Sequence, residues 1–251
     1  MNEGIPENSL AAFQRALEHK YAIELDVHLT ADGQLAVFHD DSLNRMCGID
    51  LPVESVHSEQ LSHLRLLHTE YHIPLLHEVL ELVNGRVPLL IEMKLPSRNL
   101  SLCPLLDRQL RAYSGPYLIE SFNSLGLYWY RKHRPDILRG QLTCRFTPSA
   151  GWDGFLKKLL SALLVNCVGR PHFIACHHRQ ANGFGIRLNR LIYDIPLFAW
   201  TVRSPEDFAE CKGNFHAVIF EGFKPENPQR NNLRTAASDR RQGTPVNIPP
   251  R

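Results

Sequence analysis

The stretches Ile23-Glu24-Leu25-Asp26-Val27 and Ile91-Glu92-Met93-Lys94 place charged side chains at alternate positions among apolar ones. Alternate residues of a strand share a face. Glu24 and Asp26 therefore point one way, and Ile23, Leu25 and Val27 the other. Glu92 and Lys94 share a face in the same manner. Carboxylates in strands this apolar are costly unless something compensates them. A divalent cation is one natural partner, because hard cations prefer oxygen ligands. Pairing with lysines inside a polar barrel interior is the other.

Outward from these two strands, apolar runs bounded by turn residues recur at 22–29, 88–94, 117–122, 139–144, 172–177, 197–202 and 217–221. Helical spacing fills most of the intervals, at 9–20, 75–83, 102–113, 124–133, 155–165 and 205–210. Ser9 is the expected N-cap of the first helix. Alternating strands and helices predict a parallel sheet, and continuous β-rich runs fit strands covered by helices. Asp32-Gly33 predicts a turn joining 28–30 to 35–39, a local hairpin ending in His39-Asp40-Asp41. Residues 41–74 read as a small insertion. The tail from Pro228, rich in proline and arginine and without apolar periodicity, reads as disordered.

Composition narrows the function. At 251 residues and 43% hydrophobic, the chain suits one sizeable domain, 1–227, followed by the tail at 228–251. A net charge of +2 gives no case for nucleic acid. No run reaches the roughly 18 apolar residues of a membrane span, and the polar N-terminus carries no signal peptide. The six cysteines show no C-x-x-C spacing and read as reduced thiols of a cytoplasmic protein rather than a zinc cluster.

Several ordered motifs carry a resemblance. Pro6-Glu7-Asn8-Ser9 with Ala12-Phe13, Ile23-Glu24-Leu25-Asp26-Val27, Thr30-Ala31-Asp32-Gly33 and Val37-Phe38-His39-Asp40 with Leu43 and Arg45 come first. Ile73-Pro74-Leu75-Leu76, Ile91-Glu92-Met93-Lys94, Ser121-Phe122 and Trp200-Thr201-Val202 follow. Their order and spacing, from residue 4 to about 225, resemble the glycerophosphodiester phosphodiesterase family. The resemblance implies a (β/α)8 TIM barrel with an insertion after the second strand and the catalytic face at the C-terminal strand ends. It implies metal-dependent hydrolysis of a glycerophosphodiester to sn-glycerol 3-phosphate and an alcohol. A sphingomyelinase D-like lipase shares the barrel, but the compact loops and absent secretion signal argue against it.

On that resemblance Glu24, Asp26 and Glu92 hold one divalent cation, Mg2+ or Ca2+, and Lys94 lies beside the phosphate. His39 is one of two histidines that act as general acid and base, a task suited to a reference pKa near 6.5. Trp200 and Phe122 line the pocket of the alcohol or glycerol, and Glu7 reaches the site from the first loop. His28 shares the parity of Glu24 and Asp26 and is a further pocket candidate; His177 and His178 end a strand on the same face without an assigned role. Glu221 stands where the family commonly has an aspartate. The family's first strand ends in His-Arg-Gly, for which residues 1–5 leave no room. The expectation is a missing first barrel strand, from a truncated record or misplaced start. The alternative function is a catalytically impaired phosphodiester-binding protein that lacks the second histidine.

Overall fold

The seven apolar runs become seven parallel strands, most of them largely buried and the last, 217–220, half-buried, with backbone groups satisfied by their neighbours. A computed structural model describes residues 4–143, 166–180, 186 and 194–225. The strands are β1 (Ile23–Leu29), β3 (Leu89–Met93), β4 (Tyr117–Ser121), β5 (Arg139–Thr143), β6 (Phe173–His177), β7 (Leu197–Val202) and β8 (Ala217–Phe220). The short β2 (Leu35–Val37) pairs antiparallel with the end of β1, through Val27–Val37 and Leu29–Leu35, as Asp32-Gly33 predicts. The sheet order is β2-β1-β3-β4-β5-β6-β7-β8.

The larger helices cover the outer face, and two short ones belong to the insertion. They are α1 (Leu10–Glu18), α2 (Asn44–Cys47), α3 (Ser58–His63), α4 (Leu76–Val83), α5 (Leu102–Leu110), α6 (Ser124–His133), α7 (Asn166–Gly169) and α8 (Pro205–Cys211). Ser9 caps α1 by accepting from the Ala12 N–H at 3.2 Å. Phe13 and Leu17 of α1, Val79 and Val83 of α4, and Leu106 of α5 close over Leu25, Leu89 and Ile91 to form the outer core. The expected helix at 102–113 ends at Leu110, because the following turn swings Tyr113 round to accept from the Gly85 N–H at 3.1 Å. Residues 43–73 bury Leu43, Met46, Val53, Leu61, Leu66 and Ile73 in a separate small cluster against Ala36 and Phe38. The helix expected at 155–165, Cys144 and the tail from Pro228 lie outside the described residues. Cys103, Cys176 and Cys211 are buried thiols.

The inner face holds a second apolar cluster: Leu90, Leu142, Phe173 and Ala175, packed with Leu118, Phe198, Trp200 and Ile219. This floor lies under the acids that β1 and β3 present on the same face. The sheet curls until Tyr21, just before β1, meets Phe220 of β8 edge to face at 5.2 Å. Among the described residues β8 pairs with β7 alone.

Candidate active site

Register brings the acids together. Asp26 of β1 lies opposite Glu92 of β3, and Glu92 opposite Glu120 of β4. Carboxylate oxygens of Glu24, Asp26 and Glu92 lie within 4.8 Å of one another, as expected for ligands of one cation. Lys94, just past β3, reaches back between two of them. Its Nζ is 2.8 Å from Asp26 Oδ1 and 2.9 Å from Glu92 Oε1. Both readings of the alternation therefore describe part of the site: the acids converge, and a lysine pairs with them.

Burial sets the electrostatics. It raises Glu24 well above the ordinary carboxylate range, with Asp26 adding to the effect; Glu24 is hemmed in by protein yet keeps some accessible surface. Burial, and then Glu92, likewise raise Glu120. Burial also raises Glu92, against the pull of Lys94. Burial pushes Asp26 the same way, but Lys94, His39 and Asn8 outweigh it, and Asp26 falls below its ordinary value. The two paired acids thus move in opposite directions. Asp26 holds the negative charge because it has two close donors, while Glu92 shares one of them. Lys94 is raised in return: burial opposes its charge, but Asp26 and Glu92 prevail.

Asn8 is a residue the sequence reading quoted but left without a role. Its Nδ2 donates to Asp26 Oδ2 at 2.8 Å, and its Oδ1 accepts from the Asp26 N–H at 3.4 Å. Asn8 adopts a left-handed backbone, φ 52°, which turns its amide over β1. Glu120 was also missed. The alternation of Ile119-Glu120-Ser121 would have found it, because it sits on β4 as Glu92 sits on β3. Ser121 faces the other way and donates to the Met93 carbonyl at 2.8 Å, tying β4 to β3.

The mouth of the site is a cavity of about 400 Å³, whose lining includes His39, Asp40, Glu92, Lys94, Ser121 and Phe122. His39 is exposed, and its Nδ1 lies 2.6 Å from Asp40 Oδ1. Arg45 grips Asp40 with Nε at 2.6 Å and Nη2 at 2.8 Å, and its Nη2 also donates to Glu7. Hydrogen bonds from Arg45, with His39 adding to them, hold the Asp40 carboxyl down at about 2. Glu7, His39 and Asp40 also lie close enough to ligate a metal. Each group already has a cation beside it, Arg45 here and Lys94 at the inner trio, but the inner trio offers three carboxylates where this one offers two and a histidine, so for a hard cation it is the better site.

The remaining candidates spread around the rim. Trp200 meets Phe122 edge to face at 6.0 Å, and His177 meets Trp200 at 5.9 Å. His177 stacks on His178 at 4.4 Å, and its Nδ1 accepts from the Arg179 N–H at 3.3 Å. His28 is buried; burial, followed by the Lys94 charge, pushes it down to about 4. Glu221 turns outward to pair with Arg203.

Clustered carboxylates and a lysine over the apolar floor of a curled α/β sheet, with a histidine–aspartate pair at the mouth, define a barrel hydrolase for a phosphate ester. Residues 1–221 match the Glycerophosphoryl diester phosphodiesterase family, and the chain belongs to it. A glycerophosphodiester phosphodiesterase of Bacillus altitudinis is 30% identical over 229 residues, covering 79% of this chain and 93% of its own. Among solved structures, a glycerophosphodiester phosphodiesterase of Thermotoga maritima superposes with a TM-score of 0.66 at 23% identity, over 86% of this chain and 89% of its own. An Oleispira antarctica phosphodiesterase, solved with the product sn-glycerol-3-phosphate, gives 0.68 at 21% identity, over 86% and 87%. These two share the barrel fold with this chain.

Proposed function

We propose that this protein hydrolyses a glycerophosphodiester to sn-glycerol 3-phosphate and an alcohol, with a divalent cation held by Glu24, Asp26 and Glu92. The observation that carries the reading is the convergence of these carboxylates within 4.8 Å beside Lys94. Three hard oxygen donors in a buried acidic pocket fit Mg2+ or Ca2+. Such a cation would hold a phosphate oxygen and neutralise charge developing on it. Asn8 and Lys94 fix the Asp26 carboxylate from two sides. Lys94 lines the cavity, where a phosphate would lie.

His39 moves the proton. Asp40 is ionised and accepts, so Nδ1 of His39 carries the hydrogen, and Nε2 is left to exchange a proton with a substrate oxygen. Arg45 keeps Asp40 charged and draws Glu7 to the same side of the mouth. Phe122 and Trp200 offer the apolar wall against which a glycerol or alcohol group packs.

A second reading is favoured by one observation: His39 is the one histidine among the described residues that line the cavity. Acid–base work at both the attacking and leaving oxygens calls for two groups. A chain with His39 alone would bind phosphodiesters and turn them over poorly. Choline release from glycerophosphocholine, in Mg2+, in Ca2+ and in EDTA, separates the two. Turnover that needs a cation and is lost in His39→Ala supports the enzyme. Binding without turnover supports the alternative.

A further inference from the structure

The register between β3 and β4 ends at the pair Glu92 and Glu120. Beyond it, side chains carry the pairing on. Ser121 Oγ donates to the Met93 carbonyl at 2.8 Å. Asn123 Nδ2 donates one hydrogen to the Leu95 carbonyl at 3.0 Å and the other to the Ser97 carbonyl at 2.8 Å. Alternate carbonyls on either side of Lys94 are thus held from the turn between β4 and α6. That turn is itself fastened. The Asn123 N–H donates to Ser121 Oγ at 3.1 Å, and Asn123 Oδ1 caps α6 by accepting from the Leu125 N–H at 3.0 Å. Leu95 lies against α6 at Gly126, where a Cβ would come within 2.4 Å of its Cδ1. From the other side, the Lys94 N–H donates to the Val27 carbonyl of β1 at 3.0 Å. Lys94 therefore leaves β3 on a backbone gripped from both neighbouring strands.

We propose that Asn123 is a positioning residue for Lys94 and acts on the bound phosphate through it. The proposal rests on the reading of Lys94 as the phosphate's partner. Lysine is a compact charge on a flexible four-carbon stem, so the place of its ammonium depends on where the stem is rooted. With Leu95 and Ser97 held, the root is fixed where Nζ reaches both Asp26 and Glu92. Asn123 and Lys94 line the same cavity. Residues 96–99 are exposed and have little packing of their own to hold them. Without the two bonds from Asn123 this segment gains freedom, and a phosphate must order it on binding. With them, the ammonium is preorganised.

Calorimetric titration with sn-glycerol 3-phosphate, in MgCl2 and in CaCl2, tests this on the unaltered chain, Asn123→Ser, Lys94→Met and the double variant. Serine caps a helix as well as asparagine does, but its single short hydroxyl cannot span both carbonyls. The cap is kept and the clamp is lost. Affinity should fall about tenfold in Asn123→Ser and at least as far in Lys94→Met. The double variant should bind no more weakly than Lys94→Met alone, because Asn123 has nothing left to position. Unchanged affinity in Asn123→Ser, with binding lost in Lys94→Met, overturns the proposal and leaves Lys94 as the phosphate's partner. Losses that add in the double variant overturn it too, since Asn123 then acts by another route. If the unaltered protein binds sn-glycerol 3-phosphate with neither ion, or Lys94→Met binds it as well as the unaltered protein, the reading of Lys94 fails and the proposal falls with it.

Discussion

Asp26 shows how much one side chain depends on partners far away in sequence. It is buried, yet ionised, because Asn8 and Lys94 both donate to it. Asn8→Ala removes one donor to a ligand carboxylate, so cation affinity should fall about 10- to 100-fold; titration calorimetry measures it, and unchanged affinity would show that Asn8 is idle. His39→Ala should lower kcat by about 10²- to 10⁴-fold with little change in cation affinity. Asp40→Asn should cost less, because the ring stays in place and loses only its orienting charge. The acids at 24, 26 and 92 were legible because alternation in an apolar strand sets charged side chains on one face. The grip of Asn8 on Asp26 was not, since it depends on a loop folding back across 18 residues. The Arg45–Glu7 contact, spanning 38 residues, was hidden for the same reason.

The strands and larger helices were legible because burial on both faces, or on one helical stripe, imposes its period on the sequence. The short α2 and α3 were not. Helices of one or two turns have too few residues to show a period, and they stand because Met46 and Leu61 anchor them in a local core. Asp32 links the hairpin to that insertion, accepting from the Ser58 hydroxyl at 2.6 Å and the Ser58 N–H at 3.0 Å. The inner floor makes its own demand at β5. Gly140→Ala would force a methyl against the Phe173 ring. Overpacking of this kind costs about 1–3 kcal/mol, so calorimetry should show a lower Tm. A Tm equal to that of the unaltered protein would mean the ring moves aside freely.

Over the whole molecule, the acidic site sets stability against charge. Burial raises Glu24 and Glu120, and lifts Glu92 to about 8. A carboxylate with a higher pKa folded than unfolded binds protons in the folded protein after the unfolded chain has released them. Its stabilisation is complete below the unfolded value and is lost as pH rises through the folded one. Buried His28, pushed down to about 4, works in the opposite sense, but only up to the ordinary histidine value near 6.5. In EDTA, Tm should therefore fall as pH rises from 6.5 through 8. Saturating Ca2+ should flatten that fall by supplying the missing positive charge. A Tm in EDTA that holds or rises across this window would refute the electrostatic account. The central claim, that a cation sits among Glu24, Asp26 and Glu92, is tested most directly by anomalous diffraction from crystals soaked in Mn2+. The account predicts one strong peak about 2.0–2.6 Å from oxygens of all three carboxylates. A peak at Glu7, His39 and Asp40 instead, or none at either group, would contradict it.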